Sequence, residues 1–242
     1  MTLGSGEVHV WYRLTDSLDD SALAEARSIL SSEERLRHDR FQFARDRRDY
    51  AAAHALLRTS LSRYTDVAAH AWMFEEDTHG KPRLSGPCGA GSALTFNLSH
   101  ARGIVACAIA PGPAVGIDVE RADPTVDCST VVERYFTHAE IAQLDRCPPL
   151  DRATCFAALW TLKEAYIKAT GRGLSESLVS FGFDLSGDRI RFLPPVNVRA
   201  EAWQFALFAP EPRSSIGVAI EHDSTAEWKI TVRSSDEVFR SI

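Results

Sequence analysis

Two acidic clusters in this sequence have the residue types and spacing for metal-assisted chemistry. Asp118 and Glu120 lie two residues apart in a run, residues 114–120, that is typical of a β-strand, so both side chains should share one face of a sheet. Glu164 and Lys168 lie four residues apart in a helical stretch, residues 153–170, and should share one helical stripe. Three carboxylates that converge beside a lysine are suited to hold Mg²⁺ or Mn²⁺ in a reaction on phosphate.

Each cluster also has an ordinary structural explanation. Glu164 and Lys168 could form a surface ion pair worth only a few tenths of a kcal/mol. Asp118 and Glu120 could lie on the solvated face of an edge strand, or pair with an arginine such as Arg121. Because burying two unpaired carboxylates is costly, a cation is the alternative that explains both acids in an otherwise apolar strand.

Three further groups could contact a phosphate or a base. Ser99 and His100 end a strand-like run over residues 93–98, and Lys81 precedes the conformationally rigid Pro82. Arginines crowd residues 35–48, where a solvated helix face is the ordinary explanation. Strand ends and turns commonly carry such residues, so none of these groups alone indicates a ligand.

Composition narrows the class of protein. The chain has 242 residues, 45% of them hydrophobic and 25% charged, as in one large or two small globular domains. A net charge of −6 argues against general nucleic-acid binding. We see no signal peptide and no apolar run near the roughly 20 residues that a membrane helix needs, so we expect a cytoplasmic protein without membrane contact. Five cysteines without a C-x-x-C pair predict reduced thiols; they are Cys88, Cys107, Cys128, Cys147 and Cys155.

The chain repeats its own order of elements, which predicts an α+β fold of two similar halves, residues 1–112 and 113–242, related by pseudo-twofold symmetry with a ligand in the cleft between them. Aligning the helical stretches 50–58 and 156–164 sets Arg58 opposite Glu164, so the metal chemistry is expected in the second half only. The predicted helices are residues 21–34, 47–64, 130–136, 139–144 and 153–170. The predicted strands are residues 8–14, 71–74, 93–98, 104–110, 114–120, 180–184, 189–193, 202–209 and 217–221.

Taken in order, the motifs resemble one family. They are Gly-Lys-Pro (80–82), Phe-Asn-Leu-Ser-His (96–100), Gly-Ile-Asp-Val-Glu (116–120) and the Trp-Thr-Leu-Lys-Glu-Ala-Tyr-Ile-Lys-Ala-Thr-Gly stretch (160–171), with supporting matches at residues 40–48 and 134–140. Together they are similar to the 4′-phosphopantetheinyl transferases of the large, pseudodimeric, surfactin-synthetase-activating type, over roughly residues 8–222. The resemblance implies Mg²⁺-dependent transfer of the 4′-phosphopantetheine group of coenzyme A to a serine of an apo acyl or peptidyl carrier protein, with release of 3′,5′-ADP.

The resemblance also implies roles for individual residues. The metal ligands would be Asp118, Glu120 and Glu164, and the catalytic residues would be Asp118, Glu164 and Lys168. Lys168 would contact the pyrophosphate of coenzyme A, Lys163 being a weaker candidate because it is rotated away by about 100°. The other coenzyme A contacts would be Ser99 and His100 to phosphates, Lys81 and Pro82 to adenine, and Arg37, Arg40 and Arg48 to the 3′-phosphate. Ala101 stands where the family commonly has another serine.

The expected partners are coenzyme A and, transiently, an apo carrier protein that contacts residues 135–144; the protein itself is expected to be a monomer. Two other functions remain open. The same carboxylates would serve a Mg²⁺-dependent hydrolase of coenzyme A or nucleotide pyrophosphates, and a degenerate member would only bind coenzyme A or a carrier. The sequence leaves open whether the carrier belongs to fatty-acid, polyketide, nonribosomal-peptide or lysine metabolism.

Overall fold

The chain forms two compact units that repeat the same order of elements. The computed structural model describes residues 1–86, 93–112, 114–173, 176–223 and 227–235. One unit comprises Met1–Pro113 with Trp228–Ile242, and the other comprises Ala114–Glu227. Each unit runs, in the described residues, through a strand, three α-helices, a two-stranded hairpin and two further strands. The predicted α+β fold with two similar halves is therefore confirmed.

The first unit has a four-stranded sheet covered by its longest helix. The sheet order is β11-β1-β5-β4, in which β5 runs antiparallel to β1 and β4, and β11 runs parallel to β1. Tyr50, Leu56 and Leu57 pack the longest helix on the sheet. The elements are β1 (Glu7–Leu14), α1 (Asp20–Ile29), α2 (Ser32–Arg40), α3 (Ala44–Leu61), β2 (Met73–Glu76), β3 (Pro82–Ser85), β4 (Leu94–Ala101), β5 (Ile104–Pro111) and β11 (Lys229–Ser234).

The second unit has a three-stranded antiparallel sheet in the order β6-β10-β9 and a separate β7-β8 hairpin. Its core is rich in aromatic rings: Tyr166 of the long helix contacts Phe181, Phe192 and Trp203. The elements are β6 (Val115–Arg121), α4 (Ser129–Tyr135), α5 (His138–Arg146), α6 (Arg152–Thr170), β7 (Gly182–Asp184), β8 (Arg191–Leu193), β9 (Trp203–Phe208) and β10 (Ser214–Glu221).

Two glycines let α6 lie directly against the sheet of the second unit. A Cβ atom on Gly116 would stand 2.0 Å from the carbonyl oxygen of Ala165, and one on Gly217 would stand 2.8 Å from that of Thr161. A real Cβ atom essentially never comes within 3.0 Å of such an atom, because the two would overlap sterically. The backbones of β6, β10 and α6 therefore approach more closely than any residue other than glycine would allow.

Three expectations are corrected. The predicted helix over residues 21–34 is two helices, because Ser31 caps α2 by accepting from the backbone N–H of Glu34, whose side chain accepts in return from the N–H of Ser31. The strand β11 was not predicted. It also belongs to the first unit, where it pairs with β1, whereas the predicted second half ran from residue 113 to 242.

The third correction concerns the cysteines. Cys147, which ends α5, and Cys155, in the first turns of α6, form a disulfide, so reduced thiols are the wrong expectation for this pair. Cys107 and Cys128 are free, and Cys88 lies outside the described residues. In the part of the chain that the structure describes, no helix has the length and apolarity to cross a membrane.

Candidate active site in the second unit

Asp118 and Glu120 lie on the face of β6 that carries Gly116. Strand alternation puts all three positions on one side, so the acids lie on the side of the sheet that α6 covers. Their neighbours across the ladder to β10 are small: Gly217 opposite Asp118 and Ser215 opposite Glu120. Asp118 is only 5% exposed, while Glu120 is half-buried. The predicted shared face of the two strand carboxylates is therefore present.

The helix α6 brings a lysine onto the first of these acids. The ammonium of Lys168 donates a 2.6 Å hydrogen bond to Oδ1 of Asp118, which also counts as an ion pair. Glu164 lies one turn before Lys168, half-buried, and is close enough to Asp118 to respond to its charge. Glu164 and Lys168 are thus more than a surface ion pair on the helix, since Lys168 is hydrogen-bonded to Asp118 of β6.

The electrostatics of this cluster oppose the ionisation of Glu120 and Glu164. Burial, and next the charge of Asp118, raise the pKa of Glu120 to about 7, although Lys168 and the nearby Trp160 indole act in the opposite direction. Burial and the charge of Asp118 also raise the pKa of Glu164. A nearby cation would stabilise the charged form of two carboxylates whose pKa values are raised in this way.

The chemistry of this donor set suits a divalent ion, because Mg²⁺ and Mn²⁺ prefer carboxylate oxygens. The side chains as they stand are not arranged around one point, however. Over the described ranges, no group of three or more His, Cys, Asp or Glu side chains could hold a metal ion. The residues therefore fit the ion by type and charge, and Lys168 is the cation that Asp118 contacts here.

Trp160 is a member of the site that sequence reasoning did not single out. It lies on α6 one turn before Glu164, and its indole is near enough to Glu120 to lower the pKa of that carboxyl. The indole is nearly parallel to the rings of Phe136 and Phe156, with centroids 6.1 Å away in both cases. Its position in the Trp-Thr-Leu-Lys-Glu motif, four residues before a proposed ligand, was the available signal.

A cavity of about 890 Å³ opens beside Glu120 within the second unit. Its wall comes from residues 120–128 and from α4, α5 and α6, and it is more apolar than polar, with Val131, Ile141, Phe156 and Trp160 among the apolar members. Glu120 is one of its polar members, so the cavity reaches the acidic cluster. A cavity of this size is within the usual range for small-molecule sites.

Lys163 is buried in the core of the second unit and does not belong to the acidic cluster. Its ammonium is fully buried, donating to Oε2 of Glu140 at 2.8 Å and to the carbonyl oxygen of Phe181 at 2.7 Å. Glu140 in turn completes the capping box of α5 with Thr137. Lys163 is therefore committed to the core, in agreement with its weaker candidacy as a pyrophosphate contact.

The first unit contains a counterpart of this core pair. Glu34, in the capping box of α2, accepts from the guanidinium of Arg58 24 residues later, whereas Glu140 accepts from Lys163 23 residues later. The cation thus stands one position earlier in α6 than in α3. Position 164 lies as far from Glu140 as Arg58 lies from Glu34, and it carries the carboxylate of Glu164.

The matching strands of the two units, β1 and β6, also differ in where they carry carboxylates. The pairing of β1 with β5 can be superimposed on the pairing of β6 with β10. Leu14, which pairs with Ile104, then matches Arg121, which pairs with Ser214. On this alignment Trp11 and Arg13 stand where the second unit has Asp118 and Glu120. The first unit thus has no acid at these two positions, nor at Arg58, which matches Glu164 by residue count.

The two residues of β4 that are predicted to contact coenzyme A phosphates have side chains on opposite faces of the strand. Ser99 and His100 are consecutive in β4, so their side chains point to opposite faces. Ser99 is 5% exposed and His100 is exposed. Lys81 is half-buried, and Pro82 begins β3 with an exposed side chain.

The three predicted arginine contacts have different surroundings. Arg37 and Arg40 are exposed on the last turns of α2. Arg48 donates a 2.7 Å hydrogen bond to Oδ1 of Asp16, and its side chain is 23% exposed. Of the three, Arg37 and Arg40 are the more accessible to an anion.

The repeated α+β units and the acidic cluster in the second one define the class of protein. A family model described as the 4′-phosphopantetheinyl transferase superfamily matches residues 114–232, and one described as the N-terminal part of a 4′-phosphopantetheinyl transferase matches residues 18–112. The chain belongs to this family, and the predicted resemblance is confirmed.

Curated relatives agree with this assignment. The 4′-phosphopantetheinyl transferase HetI of Nostoc sp. is 34% identical over 223 residues, which cover 91% of this chain and 90% of the relative. The transferase psf-1 of Bacillus pumilus is 32% identical over 72% of each chain. The transferase Sfp of Bacillus subtilis is 30% identical over 66% of this chain and 69% of its own.

Proposed function

We propose that this protein transfers the 4′-phosphopantetheine group of coenzyme A to a serine hydroxyl of an apo carrier protein and releases 3′,5′-ADP, with Mg²⁺ or Mn²⁺ as cofactor. The observation that carries the proposal is the cluster in which Lys168 bonds to Asp118 beside Glu120 and Glu164. Membership of the family supports the reaction type. A divalent ion held by the three carboxylates would polarise the pyrophosphate and offset charge on the leaving group.

The chain's own residues would supply proton transfer and charge stabilisation. Glu164, whose pKa is raised by burial and by Asp118, would accept the proton of the carrier serine. Lys168 would steady the charge that develops on the pyrophosphate, because its ammonium already lies within the acidic cluster. Asp118 orients that ammonium through their hydrogen bond.

The first unit would contribute the contacts to the rest of coenzyme A. Arg37 and Arg40 are exposed cations on one helix end and would bind the 3′-phosphate. Arg48 is a less accessible third member, because Asp16 already accepts from it. Lys81 and Pro82 would lie against adenine.

At β4, His100 is exposed and is the better candidate for a phosphate contact. Ser99 points to the other face of the strand and is buried, so its assignment to the same phosphate has less support. Exchanging each residue for alanine would separate their contributions to coenzyme A affinity.

The carrier protein would contact the end of α4 and the helix α5, over residues 135–144. Tyr135 and Ile141 are half-buried apolar side chains there, and Ile141 also lines the cavity beside Glu120. A contact near this cavity would bring the acceptor serine toward the carboxylates. The protein is expected to act as a monomer, since both repeated units are present in one chain.

The test is incubation of the purified protein with coenzyme A, Mg²⁺ and several apo carrier proteins, followed by intact-mass measurement. The proposal expects a gain equal to one phosphopantetheine group on the serine of at least one carrier, prevented by chelation of the metal. Release of 3′,5′-ADP without any carrier would instead identify a hydrolase. Binding of coenzyme A without either product would identify a non-catalytic member.

A further inference from the structure

We propose that the disulfide between Cys147 and Cys155 is a redox-sensitive cross-link that holds one wall of the cavity beside Glu120. When a thiol such as glutathione opens it, the wall loosens and carrier modification slows. The inference rests on the proposed function and adds to it a means of control by the redox state of the surroundings.

The disulfide closes the connection between two helices that line the cavity. Cys147 is the residue at which α5 ends, and Cys155 lies eight residues later in the first turns of α6. The cavity is lined from within this connection by Pro149, Arg152 and Ala153, and from its two flanks by Leu144 and Phe156. The cross-link therefore spans a continuous part of the cavity wall.

The other restraints on this connection are weak. Arg152 donates to the carbonyl oxygen of Leu144 at 2.8 Å and to Oδ1 of Asp145 at 3.2 Å. Both charged side chains are about half exposed or more, and ion pairs of this kind stabilise little. Leu150, at the tip of the connection, is 92% exposed, so its side chain adds little packing. The covalent bond is thus the stronger restraint.

The cross-link also lies next to the aromatic side of the cavity. Phe156 follows Cys155 directly, and its ring centroid lies 5.4 Å from that of Phe136 and 6.1 Å from that of Trp160. Trp160 and Glu120 line the same cavity. Loosening the start of α6 would therefore disturb rings that lie between the cross-link and the acidic cluster.

Both sulfurs of the cross-link belong to half-buried residues, whereas the free Cys107 is fully buried. A small thiol can therefore approach Cys147 or Cys155 from the surface. Disulfides that are exposed in this way are the ones most readily reduced, and they are commonly regulatory.

The reduction needs two molecules of glutathione. The thiolate of the first attacks one sulfur of the cross-link, which breaks the S–S bond, releases one cysteine thiolate and forms a mixed disulfide with the other cysteine. The thiolate of the second attacks the glutathione sulfur of that mixed disulfide and releases the remaining cysteine. The two cysteine thiolates take up protons from water, and the glutathiones, which supplied the two electrons, end as glutathione disulfide.

Two variants of the full chain separate the cross-link from other thiol effects. The double variant Cys147→Ser with Cys155→Ser cannot form the disulfide and should behave as the reduced wild type does, with or without glutathione. Cys128→Ser is the matched control, because it removes a free thiol that lines the same cavity and leaves the cross-link in place. It should respond to glutathione as the wild type does.

The first measurement needs neither substrate nor metal. The protein is equilibrated with mixtures of reduced and oxidised glutathione, alkylated to count its thiols by mass, and examined by amide hydrogen exchange. We expect reduced glutathione to release the thiols of Cys147 and Cys155, and exchange over residues 147–156 to become at least about tenfold faster. A cross-link that stays closed in reduced glutathione, or exchange that reduction leaves unchanged, would overturn the inference.

The second measurement is kcat/KM for an apo carrier in the oxidised and the reduced protein. We expect a several-fold loss on reduction in the wild type and in Cys128→Ser, and the same low value in the double variant in both buffers. Equal values for the oxidised and reduced wild type, or a Cys128→Ser protein that no longer responds, would overturn the inference. A wild type that modifies no carrier in either state would reject the proposed function, while hydrogen exchange would still decide whether the cross-link holds the cavity wall.

Discussion

The ammonium of Lys168 lies 2.6 Å from Oδ1 of Asp118, and this contact joins α6 to β6 across 50 residues of sequence. It brings the two acidic clusters of the chain together. It depends on the closeness of helix and sheet, which Gly116 and Gly217 permit. Much of the chemistry proposed for the second unit therefore depends on how closely these backbones pack.

The first prediction concerns that packing. Gly116→Ala should displace α6 from β6, because the new Cβ would stand 2.0 Å from the carbonyl oxygen of Ala165. Overpacking of this kind typically costs about 1–3 kcal/mol, and the displacement should also separate Lys168 and Glu164 from Asp118. We expect a lower melting temperature together with a large loss of carrier modification.

Gly187→Ala is the matched control for this substitution, since a Cβ atom there would meet nothing within 4 Å. It should leave both stability and activity near wild type. Wild-type behaviour of Gly116→Ala in both assays would show that the close approach of α6 does not position the site.

The second prediction contrasts two lysines of α6. Lys163→Met should destabilise the protein by about 3–5 kcal/mol, because it leaves the buried carboxylate of Glu140 without its cation. Lys168→Met removes a lysine whose side chain is 29% exposed and should cost much less stability but lower carrier modification at least about 100-fold. Urea unfolding and carrier modification would measure the two effects, and a reversed order would contradict both assignments.

The elements carrying the site could be predicted because their patterns are local. The alternation of residues 114–120 and the apolar periodicity of residues 153–170 indicate β6 and α6 directly. The left-handed Gly171, at φ 68°, ends α6, as glycine commonly does just after the last turn of a helix. The contact between Lys168 and Asp118 was not predicted, since no local pattern reports a pairing over 50 residues.

Other features depend on tertiary contacts that local patterns do not encode. Strand β11 pairs with β1 at the opposite end of the chain, so its assignment to the first unit required the structure. The cysteines at 147 and 155 meet because α5 ends where α6 begins. The break between α1 and α2 is different, since Ser31 and Glu34 form a recognisable capping box that was overlooked.

The third prediction concerns acid stability of the first unit. Burial raises the pKa of Glu34, but hydrogen bonds from His54 and Arg58 outweigh it and bring the pKa to about 2. A carboxyl whose pKa is lowered in the folded state stabilises the protein above its unfolded value of 4.5, and this stabilisation is lost as the pH falls towards 2.

Glu34→Gln should remove this dependence. We expect the free energy of unfolding of the wild type to fall more steeply between pH 5 and pH 2.5 than that of Glu34→Gln, measured with urea at each pH. Parallel curves for the two proteins would show that Glu34 is not stabilised as a carboxylate in the folded state.

The fourth prediction distinguishes the arginines proposed for the 3′-phosphate. Arg40→Gln should raise the KM for coenzyme A about tenfold or more, as loss of a charged hydrogen bond does, and leave the KM for 3′-dephospho-coenzyme A unchanged. Arg48→Gln should show less discrimination, since Asp16 accepts from Arg48. An equal rise in KM for both substrates with Arg40→Gln would place the 3′-phosphate elsewhere.

The most direct test of the central claim is the rate at which an apo carrier gains the mass of phosphopantetheine when wild type, Asp118→Ala and Glu164→Ala are compared at saturating coenzyme A and Mg²⁺. The acidic cluster predicts a loss of at least about 100-fold in each variant, with the folded state retained by circular dichroism. Near-normal modification of the carrier by either folded variant would contradict the assignment of these carboxylates to catalysis.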